Sequence, residues 1–258
     1  MYAVAPAAEA AWQALFAAVS RDADVPLGYE AYPAPAPLEA LWRRPDVGCV
    51  FMCGFPIALG IAQVRVLAAP IPAASWAGGR AVYRSDFIVR ADSPFRTLED
   101  TFGHRIGWTV AHSQSGFNAP RHHLLRHGRA LYRESLGDLV TARRVLDAVL
   151  DGRIEVGPLD AYWHGLIAHH RPDLAAGIRV VESTALTPIP SLVAAPGFPE
   201  DAFARLRAAL LAAASRPWFA ALTEPLQLAG FAAMEPRDYA VMLAWDRAAR
   251  AAGYAAPG

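Results

Sequence analysis

Short apolar runs alternate with amphipathic stretches along the whole chain, a pattern that predicts an α/β protein built on mostly parallel strands. Trp12, Leu15, Phe16 and Val19 recur at helical spacing and predict a first helix over about Ala7–Val19. The proline-rich segment Ala31–Pro37 is an extended connection, because proline removes backbone donors and clashes inside a helix. A short helix follows at Leu38–Arg43, then a buried strand over Asp46–Met52 that ends at Cys53-Gly54-Phe55-Pro56. Strands are predicted around Val64–Ala68 and over Ala81–Arg90, the second long enough to pass from one lobe to another.

Beyond Asp92-Ser93-Pro94, the stretch Thr97–Asp100 reads as a capped helical turn, and His104–Val110 as a strand. The polar loop Ala111–Gly116 opens a helix running to about His127. Val145, Leu146, Val149 and Leu150 share one face of a helix over Thr141–Leu150, stopped by Asp151-Gly152 and followed by a buried strand over Ile154–Gly157. Ile178–Glu182 and Ser191–Ala194 are further strands, and helices at about Pro199–Ala214, Pro217–Gln227 and Pro236–Ala252 close the chain.

The 258 residues suit one large domain or two small lobes, and 54% hydrophobic content supports a real core. Basic and acidic residues balance at 24 each, which argues against nucleic acid as a partner. All of the basic residues are arginine, so no lysine is present to form a Schiff base or serve a phosphate loop. No run of about 18 apolar residues exists, so the chain is not expected to be membrane-embedded. The start, Met1-Tyr2-Ala3-Val4-Ala5-Pro6, lacks the features of a secretory leader. That predicts a cytoplasmic protein as written, and a periplasmic one if the start is truncated. Cys49 and Cys53 fit a reducing compartment and read as buried structural thiols, with a cleft-lining or reactive role as the alternative.

Candidate chemistry centres on Ser113-Gln114-Ser115-Gly116, between a strand and a helix. The first turn of a helix leaves backbone N–H groups unpaired and carries partial positive charge, so small hydroxyl residues there make an anion pocket without any cationic side chain. Plain N-capping is the competing reading of the same four residues. Asp160 and His164, four apart, could share a helical face as metal ligands, but no third ligand is obvious, and neither a metal nor a cofactor is expected. His122-His123 and His169-His170 read as solvated helix faces, and Trp108 ends the strand that feeds the anion loop.

Tyr83–Pro94, Leu98-Glu99-Asp100 with Gly103–Ile106, and Ser113–Gly116 follow one another in an order and spacing that resembles the phosphate-, phosphite- and phosphonate-binding proteins of ABC transporters. Ala148–Gly157 is similar to that family's helix, glycine turn and acidic strand. The resemblance covers about Asp46–Ala194. It implies a two-lobe type II periplasmic-binding-protein fold, with two crossover strands and an interlobe cleft that closes by hinge motion. Lobe one would hold residues 1–85 and 186–258, and lobe two residues 86–185.

The resemblance also implies the chemistry: a small oxyanion or zwitterion gripped by Ser113, Gln114 and Ser115, with Tyr83 near the first crossover covering it. Three departures qualify it. Gln114 stands where the family usually has threonine, Thr141-Ala142 where many members carry a cleft histidine, and apolar Ile189 where an acidic residue meets an aminophosphonate's ammonium. Asp160, near another acidic position of the family, would supply that charge. The first strand is nearly absent, which puts Tyr2 at its cleft end. A monomeric, non-enzymatic solute-binding protein serving an ABC permease is the expectation. A cytosolic enzyme on the same fold, of the thiamine-pyrimidine or menaquinone-pathway type, and a ligand-sensing module are the alternatives.

Overall fold

The computed structural model describes all residues from Met1 to Gly258. The chain forms two compact units, one of residues 1–82 and 188–239, the other of residues 83–187 and 240–258. Residues 240–258, expected from the sequence in lobe one, group with the second unit.

In the first unit, Pro6 opens a helix that runs to Ala23, and proline suits that place because the first helical N–H has no intrahelical acceptor. Its buried face is Ala8, Ala11, Trp12, Leu15, Ala18, Val19 and Ala23, the predicted stripe lengthened but without Phe16, which is half-buried, and it ends where Asp24 turns left-handed at φ 50°. This helix packs on the helix Glu200–Ala212. The sheet has the order Val50–Met52, Ser191–Ala194, Arg65–Pro72, Leu228–Ala232. Each pairing in it is antiparallel. The returning strand Ser191–Ala194, wholly buried, inserts between two strands that run the same way and so separates them.

In the second unit, the strand Ser85–Arg90 lies between Gly157–Asp160 and Ile178–Ser183, antiparallel to both. The short strands Arg105–Gly107 and Glu134–Leu136 pair in parallel, with a parallel bridge from Ile106 to Val156. The expectation of mostly parallel sheets is therefore corrected: a continuous apolar run marks a strand buried on both faces, and strands such as Ser191–Ala194 and Gly157–Asp160 are so buried in antiparallel pairings.

Thr141 caps the helix Ala142–Leu150 by accepting the Arg144 N–H at 3.2 Å. Val145, Leu146, Ala148 and Val149 are its buried face, each large aliphatic contributing about 1.5–3 kcal/mol on burial. Glycines let its surroundings close in: a Cβ on Gly157 would stand 2.5 Å from Val145 Cγ1, and one on Gly107 2.4 Å from Ile154 Cδ1.

Candidate functional site

Five of the six residues expected at the site fall in the second unit, and Tyr2 in the first. The site grows from the end of the strand Arg105–Gly107. Trp108 follows it, donating Nε1–H to Ser135 Oγ at 3.0 Å and meeting Phe117 edge-on at 4.9 Å, so this tryptophan braces the loop. Thr109 is buried, and its N–H donates to the Gly116 carbonyl at 3.2 Å. The loop between them is thereby closed at its base.

Ser113 is extended at φ −77°, ψ 132°, and its Oγ accepts the Gly116 N–H at 3.0 Å. The expected N-cap is present. After the cap the backbone makes a wider turn than an α-helix does: Gln114–Asn118 is π-helical, with the Asn118 N–H reaching back to the Ser113 carbonyl at 2.9 Å. Such turns are rare and concentrate at functional sites. The turn continues into the helix Ala119–Leu124. It packs against the strand Gly157–Asp160, which brings Asp160's strand to the serine loop.

Within the turn the side chains separate by role. Ser113 and Ser115 are half-buried. Gln114 is fully buried, and its Oε1 accepts from Asn118 Nδ2 at 2.7 Å. The glutamine therefore turns into the protein, so the expected substitution of a ligand-facing amide for a hydroxyl is not what the chain does with it. Gly116 has a steric reason for its identity: a Cβ there would lie 2.0 Å from Thr109 Oγ1. That Thr109 hydroxyl is buried and makes no hydrogen bond.

Asp160 is buried and caps its own helix, Oδ1 accepting from the N–H groups of Tyr162 at 2.8 Å and Trp163 at 3.0 Å. His164, one turn on, pairs its Nδ1 with Asp86 Oδ2 at 3.1 Å. These bonds give the two residues different partners. Asp86 is a buried hub that also accepts from Ser183 Oγ at 2.7 Å and Arg84 Nε at 3.2 Å. Ser85 and Asp160 are partners in the strand register, and Tyr83, 1% exposed, lies two residues before that pair. Tyr2 is likewise buried, with its ring edge-on to Phe51 at 5.1 Å, and no strand forms over Met1–Val4. Ile189 is buried within the first unit, its N–H bonded to the Ala81 carbonyl at 3.1 Å.

Sequence reasoning missed the network beneath the turn. Asn118 donates to the Met242 carbonyl at 2.9 Å as well as to Gln114, and its Oδ1 accepts from Arg121 at 3.2 Å. Arg121, 1% exposed, pairs with Asp246, which also accepts from Arg250 at 2.8 Å. Burial pushes the Asp246 carboxyl up, but its bonds to Arg250 and Arg121 outweigh that and hold it below the usual carboxylate range. The available signal was polar residues at Asn118, Arg121 and Asp246 on helical faces otherwise filled by Phe117, Leu124, Met242 and Ala249. Away from the site, Cys53 is buried and the half-buried Cys49 thiol is raised to about 12 by desolvation, which fits structural thiols.

A family model for the periplasmic substrate-binding proteins of phosphonate ABC transporters matches residues 3–239. The chain belongs to that family. Its task is solute capture for transport, and the fold is that of the type II periplasmic binding proteins. No curated protein matches the chain.

Among solved structures, the binding-protein component of an ABC phosphonate transporter from Pseudomonas aeruginosa matches at TM-score 0.81 and 16% identity, covering 95% of this chain and 82% of that one. PhnD1 from Prochlorococcus marinus, solved with methylphosphonate, matches at TM-score 0.78 and 14% identity over 95% and 93%. A Xanthomonas citri protein bound to ATP matches at 0.65 and 23% over 95% of each chain. At these identities the superpositions show shared architecture alone. The family is periplasmic, and no helix here is long and apolar enough to cross a membrane.

Proposed function

We propose that this member of the family captures a small phosphonate- or phosphate-like oxyanion at the Ser113–Gly116 turn, holds it without chemical conversion and delivers it to an ABC permease in the periplasm. The observation that carries this reading is the serine-capped π-turn over Gln114–Asn118, closed at its base by Thr109. In the first turn of a helix the Ser115 N–H has no intrahelical acceptor, and the helix end carries partial positive charge. The Ser115 hydroxyl and the buried Thr109 hydroxyl, which lacks a partner, supply further donors beside it. Hydrogen bonds to a charged acceptor are worth about 1.5–3 kcal/mol each, so a few of them suffice without a local cation. Tyr83 is assigned as the residue that covers the anion, and Gln114 as the anchor that fixes the turn from below.

Thermal-shift measurements with phosphate, phosphite, methylphosphonate and 2-aminoethylphosphonate test this. A ligand at a hundred times its Kd adds about 2.7 kcal/mol of stability, which is readily detected. Ser115→Ala is expected to weaken the hit about tenfold or more, because this side chain has no capping duty. Ser113→Ala should weaken it as well and cost about 1 kcal/mol of stability through the lost cap. If neither substitution changes the affinity, the anion is bound elsewhere.

Asp160 decides how a zwitterion is treated. Asparagine at position 160 keeps the N-cap to Tyr162 and Trp163 while removing the charge. Asp160→Asn is therefore expected to weaken 2-aminoethylphosphonate and leave methylphosphonate unchanged, measured by calorimetric titration of both. Equal losses for the two ligands would reduce Asp160 to a helix cap.

A further inference from the structure

The helical segment that begins at the serine turn carries a second group of residues at its far end. His123 and His127 are one turn apart, so their rings project from the same face. The solvated surface expected at His122-His123 does not hold for the second of them: the His123 side chain is 8% exposed, with its ring 5.5 Å from that of Phe87. Across from this face stands Glu182, on the strand Ile178–Ser183. His123 Nε2 lies 3.1 Å from Glu182 Oε1, and the donor atoms of all three residues fall within 4.8 Å of one another. A cation already bridges part of the group. The Arg126 guanidinium pairs with Glu182, and its Nε–H donates to His127 Nε2 at 3.0 Å.

We infer that His123, His127 and Glu182 form a binding site for a divalent transition-metal ion, with zinc the best match, and that the metal displaces the Arg126 guanidinium from between Glu182 and His127. Two imidazoles and a carboxylate suit zinc and its neighbours, whereas calcium and magnesium want oxygen donors only. Bonds of about 2.0–2.2 Å place tetrahedral ligand atoms roughly 3.3 Å apart, so the cluster needs only a modest contraction. His127 and Glu182, 14% and 25% exposed, have room to make it.

The surroundings suit a ligand set as well. Glu99 Oε1 stands 3.5 Å from His127 Nδ1, the outer carboxylate that fixes a ligating ring with Nε2 turned toward the metal. Phe102 meets the His127 ring edge-on at 5.3 Å. An open groove of about 710 Å³, lined by His122, His123, Arg126, Ser183, Thr184 and Trp245, gives the ion a way in. The ion would tie the helical segment 119–127 to the strand 178–183. Nothing in this depends on which solute the serine turn binds.

The test uses the full chain, stripped with chelator and titrated with Zn²⁺ against a chromophoric competitor and with Co²⁺ by its d–d absorption. One equivalent is expected, with the spectrum of a four- or five-coordinate cobalt ion. His127→Gln and Glu182→Gln, both at partly exposed positions, should each weaken binding by at least the roughly 10–100-fold seen for removing an outer-shell partner. His123→Ala should do the same with the fold verified by circular dichroism. Arg126→Ala should tighten binding several-fold, an outcome that misfolding cannot mimic, and His169→Gln with His170→Gln should change nothing. The inference is overturned by failure to bind Zn²⁺, by binding indifferent to His127→Gln and Glu182→Gln, or by binding lost with the His169 and His170 substitutions.

Discussion

Arg121→Ala is expected to destabilise the protein by about 3–5 kcal/mol, because it removes the buried partner of Asp246 and leaves that carboxylate to the exposed Arg250 alone. Arg121 is 1% exposed and Asp246 7%, and the guanidinium also serves Asn118 and lies 4.7 Å over the Phe117 ring. Losing it therefore breaks a charge pair, a hydrogen bond and a packing contact together. Asp246→Ala should cost a similar amount by stranding the arginine. The paired replacement Arg121→Met with Asp246→Leu should recover most of the loss, since exchanging a buried pair for apolar side chains of similar volume is often neutral or better. Arg250, exposed on its outer side, then simply returns to water.

The acid limb of stability provides an independent measurement. The folded Asp246 carboxyl sits below its unfolded value of about 3.9, so its contribution is present above that pH and is lost as the pH falls through the folded value. The double replacement should flatten this part of the profile. Chemical denaturation of the four proteins between neutral pH and about pH 3 reads both effects. A wild-type loss no larger than that of the double variant would remove Asp246 from the account.

The elements that could be read from the sequence are those whose periodicity is imposed by burial on one side. The helices Pro6–Ala23 and Ala142–Leu150 are of this kind, and the strand Ser191–Ala194 is legible from the apolar run that follows Ser191. Leu228–Ala232 is not, because Leu-Ala-Gly-Phe-Ala lacks the β-branched residues that mark strands. Gly54–Leu59 is a helix where the sequence reads as the end of a strand, since Pro56 inside the first helical turn looks like a breaker when only sequence is in view.

At the site, Ser113 is legible as a cap, because capping is a contact over three residues. The direction of Gln114 is not: whether an amide meets a ligand or Asn118 is decided by what packs behind it. Arg121 and Asp246 are 125 residues apart, and no local pattern pairs them. The network accounts for a glutamine at a position where the resemblance leads one to expect threonine. Its bond to Asn118 connects the serine turn to Met242 and, through Arg121, to Asp246, both on the C-terminal helix Ala240–Ala251. The serine turn is thus held from below by side chains.

Gly116→Ala should abolish ligand binding and lower stability by about 1–3 kcal/mol, the usual cost of forcing a methyl group into a packed site. A Cβ at this position would fall 2.0 Å from Thr109 Oγ1 and 2.8 Å from its Cγ2. Neither atom can swing away easily, because Thr109 is buried and β-branched. Nor can the glycine retreat, since its N–H is held by Ser113 Oγ and its carbonyl by the Thr109 N–H. Relief would open the base of the turn and displace the Ser115 N–H and hydroxyl proposed to meet the oxyanion. Misplacing hydrogen-bond donors by even a fraction of an ångström costs much of their strength, so the affinity should fall by more than about a hundredfold.

Thr109→Ala removes the obstructing atoms, and the Gly116→Ala, Thr109→Ala double variant should regain most of the stability. It should regain the affinity only in part, because the buried Thr109 hydroxyl is gone. Thermal melts and calorimetric titration with the tightest phosphonate found for the wild type separate the two effects. Wild-type affinity in Gly116→Ala would show that the turn plays no part in holding the anion, whatever it does for the fold.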